Sequence, residues 1–78
     1  MPTALHSGPY RLFFYSGDRG EPPHVHVERD QNEAKYWLSP VRLARSGGFS
    51  ASELRKIEAL VAENSRLLLD SWNGFFGN

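Results

Sequence analysis

The stretch HVHVERDQNEAKYWL, residues 24–38, decides the fold. Two runs of alternating side chains flank RDQN, and that alternation is the period of a β-strand. Folding the runs back on each other sets Glu28 opposite Glu33, His26 opposite Lys35 and His24 opposite Trp37. Val25, Val27, Ala34 and Tyr36 then share the other face, which is apolar enough to be a core. A slip of one residue would exchange the two faces, so every later statement about the histidines depends on this register.

Working outward, YRLFFYS (residues 10–16) is an aromatic, apolar strand stopped by the turn residues of GDRGEPP. Its Leu12 and Phe14 join the core side. Pro40 ends the strand containing Trp37, and VRLAR (residues 41–45) is a shorter strand that adds Val41 and Leu43. FSASEL then starts a helix: Ser50 accepts from the amide of Glu53, Glu53 reaches back to Ser50, and Phe49 staples onto Leu54. Apolar residues recur at Leu54, Ile57, Val61, Leu68 and Trp72 on one helical face, Asn64 fixes register along that seam, and Gly74 is read as the stop. The expected architecture is α+β. Residues 1–9 form a flexible arm, residues 10–46 an antiparallel sheet of three or four strands, residues 50–73 one long helix packed across one sheet face, and residues 74–78 a tail.

Composition narrows the function. At 78 residues the chain is one domain, of a size that buries only about 60% of its unfolded surface. Nine basic and nine acidic side chains cancel, which removes the positive field expected of a duplex-DNA binder. Cysteine is absent, so there is no disulfide framework, thiolate nucleophile or thiolate metal site. The opening MPTALHSGPY has neither the basic n-region nor the apolar h-region of a signal peptide, and no apolar run approaches the roughly 18 residues of a membrane span. A cytoplasmic protein with no membrane partner is expected, and no cofactor motif is present.

Only one sheet face can lie under a single helix. The other carries Arg11, Phe13, Tyr15, His24, His26, Glu28, Lys35, Trp37 and Arg42, aromatics and imidazoles in place of an ordinary wet surface. Phe13, Tyr15, His24, His26, Trp37 and Arg42 form the expected binding face. Three uses of the histidines compete. As general base and acid, with Lys35 stabilising phosphorane charge and the aromatics stacking bases, they make a metal-independent ribonuclease. As two ligands from one strand they make half a metal site, which Glu21, Glu28, Glu33 or His6 would have to complete; none has a diagnostic spacing, so no metal ligands are assigned. As flat, adaptable side chains they fill a protein interface. A basic corner of Arg42, Arg45, Arg55 and Lys56 surrounds the helix start; its first reading is a solvated corner, and its second is that Arg42 and Arg45 follow a nucleic-acid backbone. The helix also overhangs the strands, leaving Leu67, Leu68, Leu69, Trp72, Phe75 and Phe76 as an interface with a second copy or another protein.

The motifs EPPHVHVE, EAKYWL with PVRLA, and GFSASELRKI together resemble, over about three quarters of the chain, a small bacterial family of unknown function, domain of unknown function four-one-six-zero. The resemblance implies a gene pair with a second small protein, of the toxin–antitoxin kind, and leaves the biochemical activity open. The expected function is therefore an interaction protein of such a pair, acting on a second small protein, a second copy of itself or single-stranded RNA. The ribonuclease is the first alternative and a metal-responsive regulator the second.

Overall fold

A computed structural model describes residues 3–77. Five strands, β1 (Thr3–Ser7), β2 (Tyr10–Phe13), β3 (His24–Arg29), β4 (Asn32–Leu38) and β5 (Val41–Arg45), are followed by helices α1 (Ala51–Glu63) and α2 (Ser65–Phe76). The strands form one antiparallel meander in the order β1-β2-β3-β4-β5. The β3–β4 register is the one the alternation predicts: His24 faces Trp37, His26 faces Lys35 and Glu28 faces Glu33. Leu12, Phe14, Val25, Val27, Ala34 and Tyr36 pack with Ile57, Val61, Leu68 and Trp72 in a single core. Leu43 departs from expectation and is exposed.

Two features correct the sequence reading. The sheet has five strands, not three or four, because Thr3–Ser7, expected as an arm, is β1. Ser7 pairs with Tyr10, and Gly8 at φ 57° followed by Pro9 closes a two-residue hairpin. The long helix is likewise two helices. At Asn64, φ is −109° and ψ 15°, and its side-chain amide donates to the Leu60 carbonyl at 2.9 Å. The side chain shares the Leu60 carbonyl with the Asn64 main-chain amide, which donates to it at 3.2 Å. The break lets α1 lie against β4 and β5 while α2 reaches across to β1 and β4, a wider cover than one straight rod gives. Helix α2 also runs past Gly74. Two further residues bury Phe76, and Gly77 at φ 76° then ends the helix, its amide donating to the Asn73 carbonyl at 2.8 Å.

The start of α1 is anchored from the sheet. Ser50 Oγ accepts from the Glu53 amide at 3.2 Å. The Glu53 carboxylate, expected to fold back on Ser50, is instead held by the Arg29 guanidinium, with Nη2 to Oε1 at 2.8 Å, and by the Tyr10 hydroxyl at 2.8 Å. Arg29, and after it Tyr10, keep the Glu53 carboxyl below the ordinary glutamate range against the opposing effect of burial. The unfolded chain therefore takes up this proton at a higher pH than the folded one. The stabilisation is complete above the ordinary glutamate pKa and is lost as pH falls through the folded value. Thermal midpoints measured from pH 7 down to pH ~3 should fall less steeply for Glu53→Gln than for the natural chain. Parallel curves would show that the pair is inert.

Candidate functional site

The sheet face away from the helices has its own lid. Between β2 and β3 the chain makes a 3-10 turn, Ser16–Gly20, which swings Asp18 over the strands. The Asp18 amide donates to the Tyr15 carbonyl at 3.0 Å, and the Tyr15 amide donates to Asp18 Oδ2 at 2.9 Å, so the turn is pinned at both ends of one residue. Pro22 and Pro23 then deliver the chain into β3, where i and i+2 put both imidazoles on the Asp18 side.

His26 Nε2 lies 3.1 Å from Asp18 Oδ2 and hydrogen-bonds to it. His24 Nε2 lies 3.1 Å from the same oxygen yet has no hydrogen-bond partner. His24 Nδ1 lies 2.9 Å from the Pro22 carbonyl. A carbonyl only accepts, so Nδ1 carries hydrogen and Nε2 is the ring nitrogen left for another ligand beside the carboxylate. His26 Nδ1 is 3.3 Å from Glu33 Oε2 and is also without a hydrogen bond. Glu33 Oε1 is occupied by the Tyr15 hydroxyl at 2.8 Å.

Burial makes these contacts costly if mismatched: His24 is 0% exposed, His26 4% and Asp18 8%. Burial also pushes the His26 pKa down, with Asp18 and Glu33 pulling the other way and His24 adding to the lowering. For Asp18, burial acts to raise the pKa, but the Tyr15 amide and the two imidazoles outweigh it and the carboxyl sits below its ordinary value. Around the cluster, Phe13 stacks on His26 at 5.5 Å between centroids, Tyr15 meets His26 edge-on at 4.6 Å, and Trp72 of α2 lies 5.0 Å from His24.

The expected face is thus brought together but not left open. Phe13, His24 and His26 are buried, with the Arg11 guanidinium 4.2 Å above the Phe13 ring. Tyr15 and Trp37 are half-buried at the margin, and Arg42 is exposed. Lys35 reaches Glu21 at 2.6 Å and sits 4.7 Å from the Trp37 centroid, so its ammonium is engaged away from the imidazoles. Arg45 is exposed and lies 3.7 Å from Glu33 Oε2. The α2 residues expected at an interface divide. Leu68, Trp72 and Phe76 face the core and Leu69 packs against it, whereas Leu67 and Phe75 point outward. Of the acids considered from sequence, Glu33 reaches His26, and Glu21 Oε1 comes only to 3.9 Å from His24 Nδ1. His6 on β1 is exposed and Glu28 pairs with Arg11. The carboxylate that joins both rings is Asp18, which sequence reasoning passed over. The signal was an acid inside GDRG, six residues before His24, in a loop otherwise read as punctuation.

Sheet, helices and cluster define a small α+β domain whose antiparallel meander is backed by two helices and carries a buried carboxylate–histidine cluster on its far face. The chain belongs to the family described as Domain of unknown function (DUF4160), whose model matches residues 10–73. No curated protein and no solved structure gives a significant match. Among the described residues, no helix is long and apolar enough to cross a membrane.

Proposed function

We propose that the chain is a binding module acting in the cytosol, one half of a two-protein unit of the toxin–antitoxin kind, and not a hydrolytic enzyme. The observation that carries this reading is the sealing of the histidine pair. A general acid and base must come within ~3 Å of the protons they move. Imidazoles 0% and 4% exposed, both turned to one aspartate, have no such approach to a ribose hydroxyl and its leaving oxygen. The outward groups on the helical side are instead binding groups: Leu67 and Phe75 on α2 are 45% and 41% exposed, and Leu43 on β5 is 42% exposed. Because their neighbours Leu68, Trp72 and Phe76 hold α2 to the core, these side chains are presented on a fixed element.

The test uses the purified chain and the product of the adjoining gene. The two should co-elute as one complex in size-exclusion chromatography with light scattering. The variant Leu67→Glu should keep the thermal midpoint within a few degrees and lose the complex. Induced in a bacterial host, the chain alone should leave total RNA intact. RNA loss that disappears in a folded His24→Ala, His26→Ala variant would overturn the reading in favour of a nuclease.

A further inference from the structure

In the Asp18–His24–His26 cluster the buried His24 Nε2 has no hydrogen-bond partner, and it converges with His26 Nε2 on one oxygen, Asp18 Oδ2. With His24 Nδ1 committed to the Pro22 carbonyl, His24 offers Nε2 as a lone pair. If His26 carries its hydrogen on Nδ1, on the side of Glu33 Oε2 at 3.3 Å, its Nε2 is a lone pair as well. Two imidazole nitrogens and Asp18 Oδ2 then converge, each donor atom within 4.8 Å of the others and each nitrogen 3.1 Å from the oxygen. Metal–ligand bonds of ~2.0–2.2 Å place neighbouring ligand atoms roughly 3.0–3.4 Å apart, for right-angled and tetrahedral geometry respectively. The separation is already close to that of ligands on one ion.

An ion at the convergence point takes both Nε2 atoms and neutralises Asp18. The His24 ring then has behind it the Pro22 carbonyl, an oxygen acceptor of the kind that orients metal-ligating histidines.

We propose that Asp18, His24 and His26 bind one divalent transition-metal ion through Asp18 Oδ2 and the two Nε2 atoms, with the Pro22 carbonyl orienting the His24 ring. Two nitrogens and one carboxylate suit zinc, nickel, cobalt or iron(II) and disfavour calcium and magnesium, which take oxygen shells. Because all three ligands are buried, the ion fastens the Ser16–Gly20 turn to β3 and has a structural or sensing role. The inference is independent of the partner-binding reading.

The experiment uses the full chain without an affinity tag, stripped with chelator and titrated with zinc, nickel, cobalt, iron(II) and, as control, magnesium. One equivalent of a transition ion should bind, and at about a hundredfold excess over its dissociation constant the thermal midpoint should rise by roughly 10 °C or more. X-ray absorption of the zinc form should show nitrogen and oxygen neighbours only, including two imidazoles. Asp18→Asn removes the charge while its amide oxygen still accepts from the Tyr15 amide at the Oδ2 position. It should fold without metal, while its affinity falls at least a hundredfold. Should that variant fail to fold, His26→Gln provides the same comparison. Stoichiometric binding with an unchanged midpoint in Asp18→Asn would move the ion elsewhere and overturn the assignment. A natural chain whose midpoint responds to pH and to none of the ions would leave a proton in the site and refute the proposal.

Discussion

Gly47→Ala is expected to unfold the protein or to lower its thermal midpoint by 20 °C or more. Gly47 lies between β5 and α1 at φ 63°, a conformation that costs a residue with a side chain roughly 1 kcal/mol or more. The larger cost is steric. A Cβ at this position would stand 1.8 Å from the Glu33 carbonyl oxygen and 2.4 Å from its carbon, both backbone atoms of β4. Relief requires moving a strand whose Glu33 is paired with Glu28 and whose side chain holds the Tyr15 hydroxyl. A chain of this length has only about 4–12 kcal/mol of stability to lose. Gly48→Ala supplies the contrast. Its φ is 92°, but the nearest obstacle is the Asn32 side-chain oxygen at 2.8 Å, which can swing away. Circular dichroism melts of both variants should place Gly48→Ala well above Gly47→Ala, and equal midpoints would contradict the close approach of this loop to β4.

Trp72→Ala comes next in size, with an expected loss of about 3–5 kcal/mol. The indole is 3% exposed and touches Phe14 at 5.5 Å, Phe76 at 4.3 Å and His24 at 5.0 Å between ring centroids. Truncation thus removes the side chain that joins α2 to the sheet and also bares one side of His24. For a domain of this size the drop corresponds to a midpoint lowered by roughly 15 °C or more. Trp72→Phe should recover much of it by refilling the volume. A Trp72→Ala midpoint within 5 °C of the natural chain would mean that α2 is held by something else.

The β3–β4 hairpin was legible because two independent constraints agree on it. The alternation divides apolar from polar, and the two-residue turn at Asp30-Gln31 fixes which residues meet. β1 was missed because Gly8-Pro9 reads equally well as the close of an arm or as a hairpin turn, and only pairing across it decides. The break at Asn64 was hidden by a spacing that runs from Leu54 to Trp72 without interruption. The helix divides at the backbone of Asn64, where a side-chain amide shares the Leu60 carbonyl with the main-chain amide, and hydrophobic periodicity carries no trace of that. At the site, parity placed His24, His26, Phe13 and Trp37 on one side. It was silent about their cover, because Ser16–Gly20 has no apolar side chain to announce burial and acts through one carboxylate. A polar lid over a polar cluster leaves no hydrophobic pattern to read.

The meander has a consequence for how the chain reaches this structure. Every strand pairs with its neighbour in sequence, and β1–β2, β3–β4 and β4–β5 are joined by two-residue connections. Contacts between nearby residues close small loops at little entropic cost, so this topology belongs with sheets of low contact order, which cross their barrier faster than sandwiches of equal stability. The β2–β3 connection is the exception. It is the longest within the sheet, and it holds the turn that carries Asp18, so the segment that completes the histidine cluster spans the largest loop to be closed in assembling the sheet.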